Sequence, residues 1–137
     1  MVDVESDMRR ADRKVRLYDE EAFEGLRAAG QLAAQALDMI ASHVQPGVTT
    51  QALDDLALEF ALDHGAIPAT LNYRGYTKSI CSSINHVVCH GIPSLRQLYE
   101  GDIINIDVTL ILNGWHGDTS RMYPVGQVAR RAERLIE

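Results

Sequence analysis

Apolar residues recur with a period close to 3.6 along the first third of the chain, which predicts an amphipathic helix. The positions that carry the pattern are Phe23, Leu26, Ala29, Ala33, Leu37 and Ile40. Asp19, Glu20 and Glu21 precede them, and negative charge is favourable at the positive end of a helix dipole. The pair 46–47, Pro-Gly, is expected to end this helix.

A second helix is predicted to begin at Thr49 or Thr50, since either hydroxyl can cap the first turn. The pair His64 and Gly65 is expected to close it. Its apolar side is predicted to consist of Leu53, Leu56, Phe60 and Leu62. We interpret the two helices as the cover of a sheet rather than as parts of a functional site.

The pattern changes in the second half of the chain. Residues 70–92 are rich in Ser, Tyr, Ile and Val, which predicts short strands and exposed turns. Two β-prone runs then flank Asn113 and Gly114, the dipeptide preferred in a two-residue type I′ hairpin turn. The final segment, VARRAERLIE, predicts another helix. Residues 1–18 mix charges of both signs without apolar periodicity and are predicted to form a solvated arm.

The predicted hairpin sorts its residues onto two faces. With the turn at 113–114, Thr109 opposes Asp118, and opposed residues share a face. That face is predicted to carry Asn105, Asp107, Thr109, Ile111, His116, Asp118 and Ser120. The other is predicted to be a core face of Ile104, Ile106, Val108, Leu110 and Leu112. Asp107 and Asp118 are then diagonal neighbours, roughly 7 Å or less apart between Cβ atoms.

Two carboxylates this close repel each other unless a proton or a cation lies between them. A pair of metal ions about 3.5–4 Å apart is the usual hydrolytic arrangement. The alternative is a solvated strand face, in which Asp and Thr are only the polar half of an alternation. Asp107 favours the metal interpretation, because an unpaired acid between Ile106 and Val108 is costly to bury.

Composition narrows the class of protein. The chain has 137 residues, 46% apolar and 23% charged, which is typical of a single folded domain. A net charge of −6 gives no basis for direct nucleic-acid binding through phosphates. No apolar run reaches the length of a membrane span, and the first residues lack a secretory apolar region, so we expect a cytoplasmic protein. Two cysteines are too few for a disulfide framework or a zinc ribbon.

Three blocks of sequence together carry a resemblance to a known family. They are NYRGYTKSICSSINHVVCHGIP at 72–93, EGDIINIDVT at 100–109 and NGWHGDTSRMYPVG at 113–126. In this order they resemble type I methionine aminopeptidases, from about residue 20 to the end of the chain. The resemblance implies the α/β (α+β) pita-bread fold, here its first half: an antiparallel sheet with a β-hairpin, covered by two helices. It also implies metal-dependent hydrolytic removal of the N-terminal methionine from nascent polypeptides.

The resemblance implies a role for each matching residue. Asp107 and Asp118 match the family's first two metal ligands, which hold two divalent ions (Co, Mn, Fe or Zn) in the complete enzyme. His90 matches a catalytic histidine that also contacts substrate. Tyr73, Tyr76 and Cys81 match residues that line the methionine pocket.

Complete family members continue further and supply a histidine and two glutamates as the remaining ligands. We therefore expect residues 19–137 to be the N-terminal half of a catalytic domain, with the C-terminal half absent. Such a chain has a partial ligand set, so weak or no activity is expected from it alone, and the uncovered face is expected to promote self-association. The alternatives are a non-catalytic pita-bread module that binds peptides or partners, and a hydrolase similar to prolidase or proline aminopeptidase. Intact Asp107, Asp118 and His90 count against the module, and the blocks RGYTKSICSSIN and CHGIP favour methionine specificity.

Overall fold

The computed structural model describes residue 15 and residues 17–137. The remainder of the predicted arm, residues 1–14 and 16, lies outside the described residues. At the end of that arm, Tyr18 packs edge-on against Trp115, with 5.8 Å between the ring centroids. The chain is therefore already in contact with the folded domain one residue before the first helix cap.

Three helices and four strands follow in order. They are α1 (Glu20–Ala41), α2 (Thr50–Asp63), β1 (Ile67–Pro68), a single 3₁₀ turn (Tyr73–Gly75), β2 (Cys81–Ile84), β3 (Ile103–Leu112), β4 (Trp115–Pro124) and α3 (Arg130–Ile136). The predicted cap of the second helix is confirmed at Thr49, whose hydroxyl accepts from Ala52 N at 3.1 Å. Asp19, expected only as a favourable charge, also caps the first helix, since its side chain accepts from Ala22 N at 3.0 Å.

The predicted end of the first helix is wrong, because α1 stops at Ala41, before Pro46 and Gly47. The backbone beyond it pairs with a distant segment. Gly47 N donates to Leu98 O at 2.7 Å, and Leu98 N donates to Val48 O at 2.8 Å. Helical geometry cannot continue into a stretch that forms these bonds, so tertiary contact shortens the helix.

β3 is the central strand of an antiparallel sheet. β4 pairs with it over its whole length, and Asn113 and Gly114 form the turn with φ of 51° and 84°. Positive φ at both positions is what a type I′ turn requires, and the predicted hairpin register is confirmed. β2 pairs with residues 104–107 of β3, and β1 pairs with residues 110–111.

The core lies between the sheet and α1. The core face predicted for β3 is confirmed, since Ile104, Ile106, Val108 and Leu110 are at most 1% exposed. α1 packs on β3 and β4, while α2 packs on α1 and β1. The Tyr123 hydroxyl ties β4 to α1 by donating to Leu37 O at 2.7 Å.

Some predicted apolar helix positions are not in the core. Phe23 and Leu26 are 47% and 37% exposed, and Leu26 borders a surface cavity together with Trp115. In α2, Leu62 is exposed; the face that packs inward consists of Thr50, Leu53, Asp54, Ala57 and Ala61. Of the predicted apolar side, Leu53 is thus fully buried and Leu56 and Phe60 pack against the core, whereas Leu62 does not.

None of the helices in the described part of the chain combines the length and apolar character that a membrane span requires.

Gly117 of β4 lies where the sheet approaches α1 closely. A Cβ atom there would overlap the carbonyl of Ala29, whereas a Cβ at Gly30 would meet open space. Gly117→Ala is expected to destabilise the fold by about 1–3 kcal/mol through overpacking. Gly30→Ala is expected to stabilise it by about 0.5–1 kcal/mol through helix propensity. Urea unfolding of both variants measures the difference, and a Gly117→Ala variant as stable as the parent chain contradicts the close approach.

Candidate active site

The two aspartates of the hairpin lie on the sheet face opposite the core. Asp118 pairs with Thr109, whose hydroxyl donates a 3.0 Å hydrogen bond to Asp118 Oδ1. Asp107 pairs with Ser120, so the two carboxylates are diagonal neighbours across the β3–β4 ladder. Thus β3 and β4 each contribute one carboxylate to the same region of this face.

The electrostatics of this pair favour a bound cation. Burial raises the pKa of the Asp107 carboxyl above its ordinary value of 3.8, and the charge of Asp118 raises that pKa further. His90 acts in the opposite direction and lowers it. Two acids that disfavour each other's charge are stabilised by a proton or a cation between them. Carboxylate oxygens suit hard divalent cations, so the donor chemistry fits such an ion.

The pair is only part of a ligand set. Within the described residues, no group of three or more His, Cys, Asp or Glu side chains is placed to hold a metal ion. Divalent cations in proteins commonly take four or more ligands. Asp107 and Asp118 therefore need further donors before they can form a closed metal site.

β2 connects the acid pair to a neighbouring cavity. Cys81 pairs directly with Asp107, which puts both side chains on one face. The cavity has a volume of about 360 Å³ and is lined by Thr70, Tyr73, Tyr76, Cys81, His90 and Ile92. All four residues for which the resemblance implied substrate contact thus lie around one cavity, beside Asp107.

Two walls of the cavity are fixed to the segment that leads into β2. The Tyr76 hydroxyl donates to Ile80 O at 2.9 Å. The Thr70 hydroxyl donates to Lys78 O, also at 2.9 Å. The positions of both side chains therefore depend on where residues 78–80 are held.

Asp54 of α2 binds the backbone of residues 79–80. Its Oδ1 atom accepts hydrogen bonds from Ser79 N at 2.7 Å and from Ile80 N at 3.0 Å. Asp54 is only 4% exposed, and burial raises its pKa although the two backbone donors and Lys78 lower it. A buried carboxylate in α2 thus fixes the start of the strand that carries Cys81.

The phenol and the thiol in the cavity wall both have raised pKa values. Burial raises the pKa of the Tyr76 phenol well above its ordinary value, and a hydrogen bond with Cys81 raises it further. Burial also raises the pKa of the Cys81 thiol; the hydrogen bond with Tyr76 opposes that change, while the charge of Asp107 adds to it. A neutral phenol and a neutral thiol make a polarisable surface suited to an uncharged side chain.

Three residues at the cavity have left-handed backbone. His90 has φ of 55°, and Asn72 and Arg74, on either side of Tyr73, have φ of 66° and 48°. This conformation costs a residue with a Cβ atom about 1–2 kcal/mol, and such residues cluster at functional sites. The backbone thus adopts a disfavoured conformation at His90 and on both sides of Tyr73.

Thr70 and Ile92 line the cavity but were not among the predicted residues. Ile92 follows His90 by two positions inside the CHGIP block, and Thr70 precedes Tyr73 by three. Proximity in sequence to predicted residues was the only signal that pointed to them. His116 shares a face with the acids in the β3–β4 register, yet it is exposed near the hairpin turn and does not line the cavity.

The sequence matches a known protein family over most of its length. The sequence matches the profile of Metallopeptidase family M24 over residues 24–137. The chain belongs to metallopeptidase family M24. Membership of this family implies the use of a divalent metal ion, in agreement with the chemistry of the two carboxylates.

Individual relatives of this M24 chain confirm the resemblance found in the motifs. It is 59% identical to the methionine aminopeptidase of Rickettsia prowazekii over 123 residues. This match covers 90% of this chain and 48% of the relative. The crystal structure of methionine aminopeptidase from the same organism matches with a TM-score of 0.88, over 90% of this chain and 50% of that chain. The predicted pita-bread fold is thereby confirmed, and the chain spans about half the length of the curated relatives it matches.

A more distant M24 likeness shows the fold alone. Prolidase from Pyrococcus furiosus matches with a TM-score of 0.75 at 19% identity, over 96% of this chain and 36% of that chain. The fold is therefore shared with an enzyme of another named specificity, and specificity has to be argued from the cavity and the acid pair.

Proposed function

We propose that this chain is the N-terminal half of the catalytic domain of a metal-dependent methionine aminopeptidase, which removes the N-terminal methionine from nascent polypeptides by hydrolysis. The observation that carries the proposal is the pairing of Cys81 with Asp107. It joins an apolar cavity to an acid pair on one sheet face. A side chain held in the cavity has its peptide bond beside the carboxylates.

Asp107 and Asp118 are the proposed ligands of two divalent ions, Co, Mn, Fe or Zn. Bound divalent ions supply acidified water and polarise a carbonyl group. The contribution of this chain is the negative charge of two oxygen-donor groups, held together by the β3–β4 ladder and by the Thr109 hydroxyl. The remaining ligands come from outside these 137 residues.

His90 is the proposed catalytic histidine. A neutral imidazole can donate one proton and accept another near pH 7, so it can serve the scissile peptide bond as proton donor or acceptor. His90 lines the cavity together with Tyr73, Tyr76 and Cys81, the proposed substrate-binding residues. Aromatic rings and sulfur bind a thioether side chain favourably, which supports methionine as the substrate residue.

The test compares two polypeptides with added Mn or Co. One is the 137-residue chain, and the other continues from residue 137 into the second half of the Rickettsia prowazekii relative. The peptide Met-Ala-Ser is the substrate, and mass spectrometry detects free methionine. We expect weak or no release from the 137-residue chain and clear release from the fusion. The relative's second half alone and an Asp118→Asn fusion serve as controls, and both are expected to be inactive.

The same assay separates the alternatives. A folded, metal-binding fusion that releases no methionine supports a non-catalytic module that binds peptides or partners. Cleavage of Ala-Pro without cleavage of Met-Ala-Ser supports a hydrolase of the prolidase kind. Turnover by the 137-residue chain that disappears in its Asp118→Asn variant contradicts our view that further ligands come from outside the chain.

We also propose that the isolated chain self-associates. Large apolar side chains between residues 87 and 99 are strongly exposed: Val88 at 91%, Ile92 at 64%, Leu95 at 83% and Tyr99 at 59%. An apolar surface of this kind favours contact with another copy. At tens of micromolar, sedimentation velocity is expected to show dimers or larger species. Val88→Asp is expected to shift them toward monomer more than Leu62→Asp, a control at an exposed apolar site elsewhere. A clean monomer in the unmodified chain contradicts the proposal.

A further inference from the structure

Gly91 is fastened to β2 through both of its backbone polar groups. Ser82 N donates to Gly91 O at 2.8 Å, and Gly91 N donates to the Ser83 hydroxyl oxygen at 3.0 Å. There is no room for a side chain, because a Cβ atom at Gly91 would overlap the Ser82 carbonyl. The peptide group that follows His90 is therefore held tightly against the strand.

His90 needs this support because its backbone is left-handed, with φ of 55°. For a residue with a Cβ atom, that conformation is disfavoured by an amount comparable to one net hydrogen bond. The peptide between His90 and Gly91 carries the Gly91 N–H, so the bond to Ser83 acts directly on this linkage. Loss of the bond lets His90 relax toward negative φ, which turns its side chain away from the cavity.

Ser83 has the position needed to act through His90 rather than on a ligand. It pairs with Asn105, shares the sheet face of Cys81 and Asp107, and is only 3% exposed. It does not line the cavity that His90 and Cys81 line. Its neighbour Ser82 is also buried, at 5% exposed, but the Ser82 hydroxyl has no hydrogen-bond partner in the described structure. Of these two adjacent buried serines, Ser83 thus has a hydroxyl that accepts a hydrogen bond from Gly91 N, and Ser82 does not.

We propose that Ser83 is a positioning residue for His90: its hydroxyl holds the His90–Gly91 peptide so that the imidazole faces the cavity. The proposal rests on the proposed function only for the role it gives to His90. The Ser83 contact itself is independent of turnover and can be measured in the 137-residue chain.

The test uses NMR on the isotope-labelled chain and on three variants, Ser83→Ala, Ser82→Ala and Ser83→Thr. In the unmodified chain, the Gly91 amide is expected to exchange slowly and the His90 Cα and Cβ shifts to be those of a left-handed residue. Ser83→Ala is expected to speed Gly91 exchange by about tenfold or more and to move the His90 shifts toward ordinary values. Ser82→Ala is expected to change neither, and Ser83→Thr to restore both, since it keeps a hydroxyl acceptor.

Three results overturn the proposal. The first is rapid exchange of the Gly91 amide in the unmodified chain, a result that does not depend on whether Ser83→Ala folds. The second is an equal effect of Ser82→Ala and Ser83→Ala on His90. The third is a folded Ser83→Thr variant that behaves like Ser83→Ala. Absence of methionine release in the fusion assay counts against the proposed function and leaves these readouts intact, so the two failures are distinguishable.

Discussion

Replacement of Asp107 by asparagine is expected to weaken divalent-cation binding and, at the same time, to stabilise the metal-free chain. Asp107 is half-buried near Asp118, and partial burial and the neighbouring charge both raise its pKa. Asparagine removes one of two anionic ligands, so the Kd for Mn²⁺ is expected to rise at least about tenfold. It also removes a half-buried charge and a repulsion, so the free energy of unfolding without metal is expected to increase by about 1 kcal/mol.

Paramagnetic broadening of NMR signals by Mn²⁺ measures the first effect, and urea unfolding in a chelator measures the second. Asp63→Asn is the matched control, because it removes the same charge from an exposed position at the end of α2. We expect that control to leave both quantities unchanged. Equal Mn²⁺ affinity in Asp107→Asn and the unmodified chain contradicts the assignment of Asp107 as a ligand.

Replacement of Asp54 by alanine is expected to destabilise the fold by about 3 kcal/mol, because it leaves two buried backbone N–H groups, those of Ser79 and Ile80, without an acceptor. Asp54→Asn keeps an acceptor oxygen in the same place and is expected to cost much less. Urea unfolding of both variants measures the effect. A loss below about 1 kcal/mol in Asp54→Ala contradicts this role of the carboxylate.

The same residue predicts a pH dependence of stability. The pKa of Asp54 in the folded chain is raised above its ordinary value of 3.8, mainly by burial. The folded state therefore holds this proton more tightly than the unfolded state. The stability that the protonated form contributes is fully present below pH 3.8 and is lost as the pH rises through the raised pKa. As the pH rises from 3.8 through the raised pKa, the free energy of unfolding of Asp54→Asn is thus expected to increase relative to that of the unmodified chain. A difference between the two chains that does not change with pH contradicts the direction of the pKa shift.

The hairpin could be predicted from sequence because its signals are local. A strict alternation, an Asn-Gly turn and a core face fixed the register, and that register made Asp107 and Asp118 diagonal neighbours. The roles of His90, Tyr73, Tyr76 and Cys81 came from family resemblance, and the structure brings these residues to one cavity without testing their chemistry.

The contacts that hold the site could not be predicted, because they join segments far apart in the chain. Asp54 lies in a helix whose pattern marked it as a polar position, yet it is buried against Ser79 and Ile80. Ser82 and Ser83 are identical in type and adjacent, so composition cannot tell which of the two hydroxyls accepts from Gly91 N. Phe23 and Leu26 fit the helical period but stay exposed, because local periodicity does not show where a partner surface ends.

The division between the hairpin and the cavity also bears on how this fold could diversify in evolution. Both carboxylates lie within residues 107–118, in one continuous supersecondary unit, whereas the cavity walls come from residues 70–92. Mutations in the second segment can reshape the cavity without disturbing the register that pairs the acids. A lineage can therefore keep the acid pair unchanged while the residues that line the cavity drift.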